Sequence, residues 1–444
     1  MDEFAKMMLL MGKGMWGGTK LMLGGVSSLL TRASGNTPEQ RNIKKRGVVE
    51  YKPSEIGGFF PASEVPENTV ISGGDARIRA EAVGAFSMLA AHHQLPVVIL
   101  HCGNRELEQY MLDLFSGTGL IGIINGMNPC YEPFWQKTSR EISQMIMESA
   151  PKDFEMKMSQ RTYLEGMCAF LAAKGIRPSY HLMSTCPHGQ MFLKIDEAIM
   201  QGKMDQAKGQ QIKMRLMAGQ SEYYKIENYF YDLEAQIQDI LWKRQPIIPG
   251  QSMPPVNILS TLGNRGILLV DVVSTANQLL LNLMLSELRL AVQKGMTLCC
   301  VLDSLEVSDN EYLRRMIEQN SDRCRLAICS RDIYASVNAD DKLFNVILGK
   351  SRKNIIFTHS SNISATKWSE VIGSYDKEEI SRSYSKSKSY SPIQFFPTTT
   401  SGENTNISIK REYIVKPEEI LRMQKREVYI YSRAVNEFAH TMLV

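Results

Sequence analysis

Two predicted strands of the sequence end next to residue types that could do chemistry. Gly73 and Gly74 follow the short apolar stretch 69–72, and the cationic Arg79 comes shortly after them. Glycines behind a buried strand allow backbone N–H groups to converge on phosphate oxygens, and a nearby cation can offset their charge. Asp303 directly follows another apolar stretch, 296–302, and places a carboxylate at the end of that predicted strand.

Cysteines and histidines form no recognisable catalytic or metal-binding motif. The eight cysteines are scattered and none belongs to a CxxC pair, so we predict reduced residues in the core of a cytosolic protein. The seven histidines are equally dispersed, and His92, His93, His181 and His188 are expected on the surface or in loops. No set of metal ligands is therefore predicted.

Strands and helices must position the phosphate and metal candidates. Buried strands are predicted at 69–72, 96–100, 266–273, 296–302, 325–329 and 354–358. Helices are predicted at 80–92, 106–115 and 277–293. Near-continuous apolar strands that alternate with helices are typical of a parallel sheet covered on both faces. The sequence therefore predicts an α/β fold with a mostly parallel sheet.

The middle of the chain shows helical periodicity only. Helical runs are predicted at 139–150, 154–174, 191–201 and 222–242, and the apolar stripe of the last is expected to pack in a core. A proline-rich linker closes this block. The predicted regions are an N-terminal arm (1–45), a first core half (46–138), an all-α domain with its linker (139–256) and a second core half (257–444).

A polar, Ser-rich stretch, 374–392, lies within the second core half. Its composition predicts a mobile loop. Lys386 and Lys388 in this stretch could contact phosphate, but a solvated loop is favoured.

The charge balance limits the classes of partner. The chain has 444 residues, 43% apolar and 22% charged, which fits a globular protein of two or three domains and excludes a disordered or collagen-like chain. The net charge is +4, and the first 50 residues, with eight basic and four acidic side chains, account for all of it. A protein that wraps nucleic acid without specificity usually carries a larger basic excess. Any contact with nucleic acid is therefore predicted to be local.

Residues 7–30 are the candidate segment for contact with a membrane. Lys13 and Lys20 interrupt it, and its longest unbroken apolar run, 7–11, is far shorter than the ~20 residues that a spanning helix needs. The chain opens with Asp2 rather than with basic residues, which argues against a secretory signal. Two interpretations stay open: an arm that contacts a partner protein or a membrane surface, and a poorly ordered tail.

Several segments, taken together, resemble one family of motor proteins. They are ENTVISGG (67–74), PVVILHCGNRELEQYM (96–111), INGMNPCYEPFW (124–135), TLCCVLDSLEV (297–307), ILGKSRKNIIF (347–357), SATKWSEVIGS (364–374) and REYIVKPEEILRMQKREVYIYS (411–432). Their order and spacing resemble those of the type IV secretion coupling proteins, the TraG/TraD group within the FtsK/HerA class of RecA-like P-loop ATPases. The resemblance covers most of residues 60–435.

This resemblance implies a RecA-like three-layer core that an all-α domain interrupts and that assembles as a ring with nucleotide at subunit boundaries. It implies that ATP hydrolysis is coupled to the recruitment and transfer of DNA or protein. The implied partners are proteins of a conjugation or secretion machine, relaxosome-type substrates and further subunits in a homo-oligomeric ring or a hetero-oligomer. Family members commonly carry a membrane anchor, so residues 1–45 are expected to make any peripheral contact with the inner face of the membrane, on an otherwise cytoplasmic protein.

The phosphate-loop position departs from the family pattern. Gly73 stands at the first glycine of the motif, while the second glycine, the lysine and the Ser/Thr are replaced by Ile78, Arg79 and Ala80. Ala80 offers no hydroxyl to a metal ion, and β-branched Ile78 resists the backbone geometry of glycine. The planar guanidinium of Arg79 replaces a compact ammonium, and Asp75 adds a negative charge where a triphosphate would lie. A degenerate loop is therefore predicted.

The Walker B position is also incomplete. Asp303 can still serve a Mg²⁺ network, but Ser304 replaces the glutamate that polarises the attacking water, and serine is no general base at neutral pH without help. Glu306 is close in sequence but is expected to point elsewhere. Because each catalytic contribution is worth ~10²-fold or more, hydrolysis is predicted to be impaired. ATP and Mg²⁺ are expected as cofactors only if the altered site still binds them.

Three functions follow from these observations. The preferred one is a coupling-type scaffold or regulatory subunit with impaired hydrolysis. The second is an active ATPase for DNA or protein translocation, with an unorthodox site that uses Arg79, Asp303 and Glu306. The third is a nucleic-acid-binding module without motor activity, which the electrically neutral body of the chain disfavours.

Overall fold

The computed structural model describes residues 49–50, 58–61, 63–186, 188–242, 254–272, 278–389, 398–433 and 437–442. The chain divides into two compact units, one of residues 53–356 and one that joins 1–52 to 357–444. The predicted arm, 1–45, lies outside the described residues, and the finer division into core halves and an all-α domain stays a prediction. None of the described helices combines the length and the apolar character that crossing a bilayer requires.

Strands and helices alternate toward both ends of the chain, and helices dominate the middle. The strands are β1 (Val49–Glu50), β2 (Thr69–Ser72), β3 (Val97–His101), β4 (Ile121–Ile124), β5 (Ile267–Asp271), β6 (Leu298–Asp303), β7 (Cys324–Ser330), β8 (Lys353–Ile356), β9 (Ser374–Ser389), β10 (Thr398–Tyr413), β11 (Glu427–Ser432) and β12 (Glu437–Met442). The helices are α1 (Ala76–His92), α2 (Arg105–Leu114), α3 (Ser139–Ser149), α4 (Met158–Ala173), α5 (Tyr180–Ser184), α6 (His188–Met200), α7 (Gln206–Ala218), α8 (Tyr224–Ile237), α9 (Ile258–Gly263), α10 (Gln278–Gln293), α11 (Glu311–Glu318), α12 (Ile333–Ser336), α13 (Asp341–Lys350), α14 (Asn362–Ile372) and α15 (Pro417–Leu421).

A parallel sheet forms the centre of the larger unit. Within the described part of that unit its strand order is β8-β2-β7-β6-β3-β5-β4, and each neighbouring pair runs parallel. Strands β2, β3 and β6 are buried along their full length, as expected for a sheet that helices cover on both faces. The predicted α/β fold with a mostly parallel sheet is confirmed. Because the strands are parallel, their carboxyl ends meet at one edge of the sheet.

The structure corrects several predicted helix positions. Helix α1 begins at Ala76, four residues before the predicted start, and α5 and α7 lie in stretches where no helix was predicted. Strand β4 was also missed, since it is short and has no long apolar run. The apolar stripe of α8 does pack in the core, as predicted, through Ile226, Tyr229, Phe230, Leu233 and Ile237.

The smaller unit contains a long β-hairpin and a three-stranded group. Strands β9 and β10 pair antiparallel along their full length, and β12 pairs with β1 in parallel and with β11 antiparallel. The prediction of a mobile loop at 374–392 is therefore wrong for Ser374–Ser389, which forms β9 and includes Lys386 and Lys388. Ser and Lys are common in loops, but here pairing with β10 satisfies the backbone groups of these polar residues.

Candidate functional site

The carboxyl end of β2 turns directly into helix α1. Gly73 and Gly74 form the turn with φ of 92° and 71°, a left-handed backbone that favours glycine. Asp75 is the N-cap of α1, and its side chain accepts a 2.9 Å hydrogen bond from the backbone N–H of Ile78. The helix starts at Ala76, so three residues separate it from the strand.

This short junction does not form an open phosphate loop. In a phosphate loop, backbone N–H groups converge on the ligand before the helix begins. Here the residues from Ala76 onward already have helical geometry. The Asp75 carboxylate occupies the helix N-terminus, whose partial positive charge favours an anion. The chain therefore places its own carboxylate where a phosphate would bind.

Arg79 faces the turn. Its side chain is buried, with 7% exposed, and Nη1 donates a 2.7 Å hydrogen bond to the carbonyl oxygen of Gly74. Ile78 and Ala80, on either side of it, are buried in the core. Ile78, Arg79 and Ala80 thus contribute packing and an internal hydrogen bond.

Asp303 ends strand β6 at the same edge of the sheet and is almost fully buried. Its Oδ2 accepts a 2.8 Å hydrogen bond from Nδ2 of Asn104, whose own Oδ1 caps helix α2 by accepting from the N–H of Leu107. Its Oδ1 has no N–H or O–H donor within the described part of the chain. The Cys329 thiol lies opposite Asp303 on β7, and its pKa is raised by burial and further by the carboxylate.

The residue after Asp303 supplies no carboxylate. Ser304 has a φ of 58°, which is uncommon for a residue with a side chain, and its N–H donates a 2.8 Å hydrogen bond to the carbonyl oxygen of Cys329. Glu306 is exposed, whereas Asp303 is buried. The residue that directly follows Asp303 is therefore a serine with a left-handed backbone and no carboxylate.

A second polar group lies where β3 and β5 end. His101 is fully buried; its Nδ1 accepts a 3.3 Å hydrogen bond from the N–H of Asn104, and its Nε2 lies 3.5 Å from Oε1 of Glu108. Asp271 lies opposite His101 in the sheet and accepts a 2.9 Å hydrogen bond from a backbone N–H of the turn after β3. Burial lowers the pKa of His101, against the opposing effect of the carboxylates of Asp271, Glu108 and Asp303.

The sheet brings the candidate residues to one edge without completing a nucleotide site. Strand β7 lies between β2 and β6, so the ends of the strands that carry Gly73 and Asp303 are one strand apart. A bound nucleotide with Mg²⁺ would also need free backbone N–H groups and a hydroxyl at the start of the helix. Here Asp75 bonds to one of those N–H groups, and Ala80 has no hydroxyl. The residues present do not fit a Mg²⁺–nucleotide complex.

The sequence also contains a Gly-Lys-Ser triplet at 349–351. Gly349 and Lys350 end helix α13, and Ser351 leads into β8, which is the reverse of the strand–loop–helix order of a phosphate loop. The Ser351 hydroxyl donates a 2.7 Å hydrogen bond to the carbonyl oxygen of Lys353. The triplet is therefore no alternative phosphate loop.

Sequence analysis missed the group formed by His101, Glu108 and Asp271. Asp271 is far from His101 and Glu108 in the chain, and only the register of β3 against β5 brings it opposite His101. One signal was available, because both strands end in a polar residue directly after an apolar run. Polar residues at the carboxyl ends of parallel strands commonly mark a binding site.

Comparison with solved structures finds the same fold in plasmid coupling proteins. The plasmid coupling protein TrwB in complex with ADP and Mg²⁺ has a TM-score of 0.50 and 12% identity, over 90% of this chain and 91% of that chain. The unbound monoclinic form of the bacterial conjugative coupling protein TrwBdeltaN70 has a TM-score of 0.49 and 13% identity, over 90% of both chains. TrwB with the non-hydrolysable GTP analogue GDPNP has a TM-score of 0.49 and 12% identity, over 90% of this chain and 91% of that chain.

Comparisons of sequence add nothing further, since no family model and no curated protein matches this chain. At 12% identity, the likeness to TrwB shows the fold alone. The chain thus has the RecA-like α/β fold that its segments predicted.

Proposed function

We propose that this protein is a relative of the coupling proteins that serves a conjugation or type IV secretion machine as a scaffold or regulatory subunit, without hydrolysing ATP. The shared fold with TrwB and the order of the sequence segments support the family assignment. One observation gives the strongest support to the proposed lack of ATP hydrolysis: helix α1 begins at Ala76, and the Asp75 carboxylate is hydrogen-bonded at its N-terminus.

The proposed loss of hydrolysis has two independent causes. Ala80 offers no hydroxyl to Mg²⁺, and Ser304 offers no general base. Since each contribution is typically worth ~10²-fold or more, their joint absence accounts for a loss of about 10⁴-fold. The occupied helix N-terminus adds a third obstacle, because it excludes the phosphates themselves.

The proposed partners are proteins of the transfer machine, with DNA or relaxosome-type substrates. The lack of net charge in residues 51–444 favours protein contacts over a broad nucleic-acid footprint. We further propose assembly as a homo-oligomeric ring or as a subunit beside an active homologue, in the cytoplasm. Residues 1–45 are the segment proposed to contact the inner face of the membrane or a partner.

A phosphate-release assay with Mg²⁺ and ATP, with and without DNA, tests the enzymatic part of the proposal. We expect no release above buffer from the wild-type protein. Turnover that Asp303→Asn abolishes would contradict the proposal and favour the unorthodox ATPase. The matched control is Asp309→Asn, because Asp309 is exposed.

Complementation tests the cellular part of the proposal. In cells that lack the gene, substrate transfer should fail, and a folded Asp303→Asn variant should restore it as well as the wild type does. Restoration by the wild type but not by this variant would indicate a motor rather than a scaffold. Unimpaired transfer without the gene would contradict a role in the machine.

A further inference from the structure

Three side chains with metal-binding chemistry converge where strands β3 and β5 end. His101 ends β3, Asp271 ends β5 directly opposite it, and Glu108 lies on the first turn of α2. One potential ligand atom from each lies within 4.8 Å of the others. Nε2 of His101 and Oε1 of Glu108 are 3.5 Å apart.

The buried imidazole of His101 points to a missing ligand. Its side chain is fully buried, and its Nε2 has no hydrogen-bond partner among the described residues. The distance of 3.5 Å to Glu108 is too long for a good hydrogen bond. Buried ring nitrogens are normally satisfied, so an unsatisfied one that faces a carboxylate is an unusual and specific feature.

The surroundings of this imidazole favour a positive charge. Glu108, Asp271 and Asp303 all act on His101 as negative charges. An imidazole nitrogen and carboxylate oxygens are common ligands of divalent transition metals. A divalent cation would place positive charge among these carboxylates.

We propose that His101, Glu108 and Asp271 bind a divalent transition metal ion, of which Zn²⁺ is the best match. Two ligands of a tetrahedral ion with bonds of about 2.0–2.1 Å lie about 3.3 Å apart, close to the distance between His101 and Glu108. One imidazole and two carboxylates leave a fourth position for water or for a group of a partner. This site differs from the Mg²⁺–nucleotide position and does not depend on the proposed function.

The carboxylates of Glu108 and Asp271 each accept a hydrogen bond from a neighbouring group. Nδ2 of Asn125 donates a 3.0 Å hydrogen bond to Oε1 of Glu108, and the N–H of Gly103 donates a 2.9 Å hydrogen bond to Asp271. A carboxylate has about four lone-pair positions, so both retain capacity for a metal ion. Outer hydrogen bonds of this kind orient metal ligands.

Metal binding would also change the contact between His101 and Asn104. Nδ1 of His101 accepts from the N–H of Asn104, which leaves the ring proton on Nε2. A metal ion on Nε2 requires that proton to leave this nitrogen and Nδ1 to carry one, so the 3.3 Å contact must open. Because Asn104 also holds Asp303, occupancy of the metal site is expected to change the surroundings of Asp303.

Calorimetric titration of the full chain with ZnCl₂, after chelator treatment and without nucleotide, tests the site. We expect one ion per chain and a rise in melting temperature with Zn²⁺. Glu108→Gln and Asp271→Asn should each weaken binding at least about tenfold and remove that rise. Glu106→Gln is the matched control, because Glu106 is exposed on the same helix, and it should bind as the wild type does.

Two results would overturn the proposal. One is the absence of one-to-one binding by the wild-type protein. The other is equal affinity in Glu108→Gln, Asp271→Asn and the Glu106→Gln control. Circular dichroism of each variant distinguishes a lost ligand from a lost fold, and the less buried Glu108 and Asp271 make these variants safer than a change at His101. Neither result depends on ATP, so failure here would leave the proposed function standing.

Discussion

Two parts of the candidate site, one at the end of β2 and one at the ends of β3 and β6, differ in how their polar atoms are hydrogen-bonded. At the end of β2, the turn and the start of α1 bond to each other, with Asp75 on the N–H of Ile78 and Arg79 on the carbonyl of Gly74. At the ends of β3 and β6, Nε2 of His101 and Oδ1 of Asp303 are buried without hydrogen-bond partners in the described chain. Nε of Arg79 is likewise buried without a hydrogen-bond partner among the described residues, so the first position retains one unused donor. The second position differs because its unused atoms, a ring nitrogen and a carboxylate oxygen, are of the kind that bind a cation.

This difference shows that the sheet and the binding loops at its edge depend on different residues. The parallel sheet depends on apolar strands, which are intact, and so its carboxyl edge is preserved. A phosphate loop depends on a few glycines and one hydroxyl, whereas here Ile78 and Ala80 lie within a helix that begins at Ala76, directly after its cap at Asp75. Buried polar groups elsewhere on the same edge can then serve another ligand.

The largest effect is expected from introducing phosphate-loop residues by Ile78→Gly/Arg79→Lys/Ala80→Thr. Ile78 is 2% exposed, so its removal should leave a cavity, and glycine within a helix adds a further cost. We expect a loss of about 3–5 kcal/mol in the free energy of unfolding, measured by urea denaturation, and no ATP binding. Arg77→Lys on the same helix is the control, since Arg77 is exposed. A stable triple variant that binds Mg²⁺–ATP would contradict the claim that the packing around the β2–α1 junction excludes a nucleotide.

The next effect concerns Asn104, which links the two strands of the second position. Asn104→Ala removes the N-cap of α2 and leaves Oδ2 of Asp303 unpaired. We expect a loss of about 2–4 kcal/mol in thermal or urea unfolding, the sum of a cap and a buried acceptor. Asp205→Ala, which removes only the exposed cap of α7, should lose about 1 kcal/mol. Equal losses in both variants would show that the bond to Asp303 contributes nothing.

The smallest effect is expected at the cap of α1. Asp75→Ala should lower the free energy of unfolding by about 1 kcal/mol, because the N–H of Ile78 loses its acceptor. Asp75→Asn retains an acceptor oxygen and should be nearly neutral. Differential scanning calorimetry measures both. An Asp75→Ala protein as stable as the wild type would mean that the carboxylate is dispensable there.

Much of the fold could be predicted from the sequence, because apolar runs report buried strands directly. The strand before Gly73 has its predicted bounds, and the bounds of the strand that ends at Asp303 differ from the predicted ones by at most two residues. The start of α1 could not be predicted in the same way, because the motif pattern suggested a longer loop, while the cap at Asp75 decides the length. Strand β9 has the composition of a loop and becomes a strand only through its partner.

The metal-binding group was beyond prediction from the sequence for a different reason. The whole helical block lies between His101 and Asp271 in the chain, and their juxtaposition requires the order of strands in the sheet. A single sequence reports which residues are polar at strand ends but not which strands are neighbours.

The most direct test of the account is calorimetric titration of the wild-type protein with ATP in the presence and absence of Mg²⁺. The account predicts no binding up to millimolar nucleotide, because the Asp75 carboxylate and the helical backbone from Ala76 occupy the phosphate position. Mg²⁺-dependent binding that Arg79→Ala abolishes would contradict it, and would mean that the β2–α1 junction opens to admit a triphosphate.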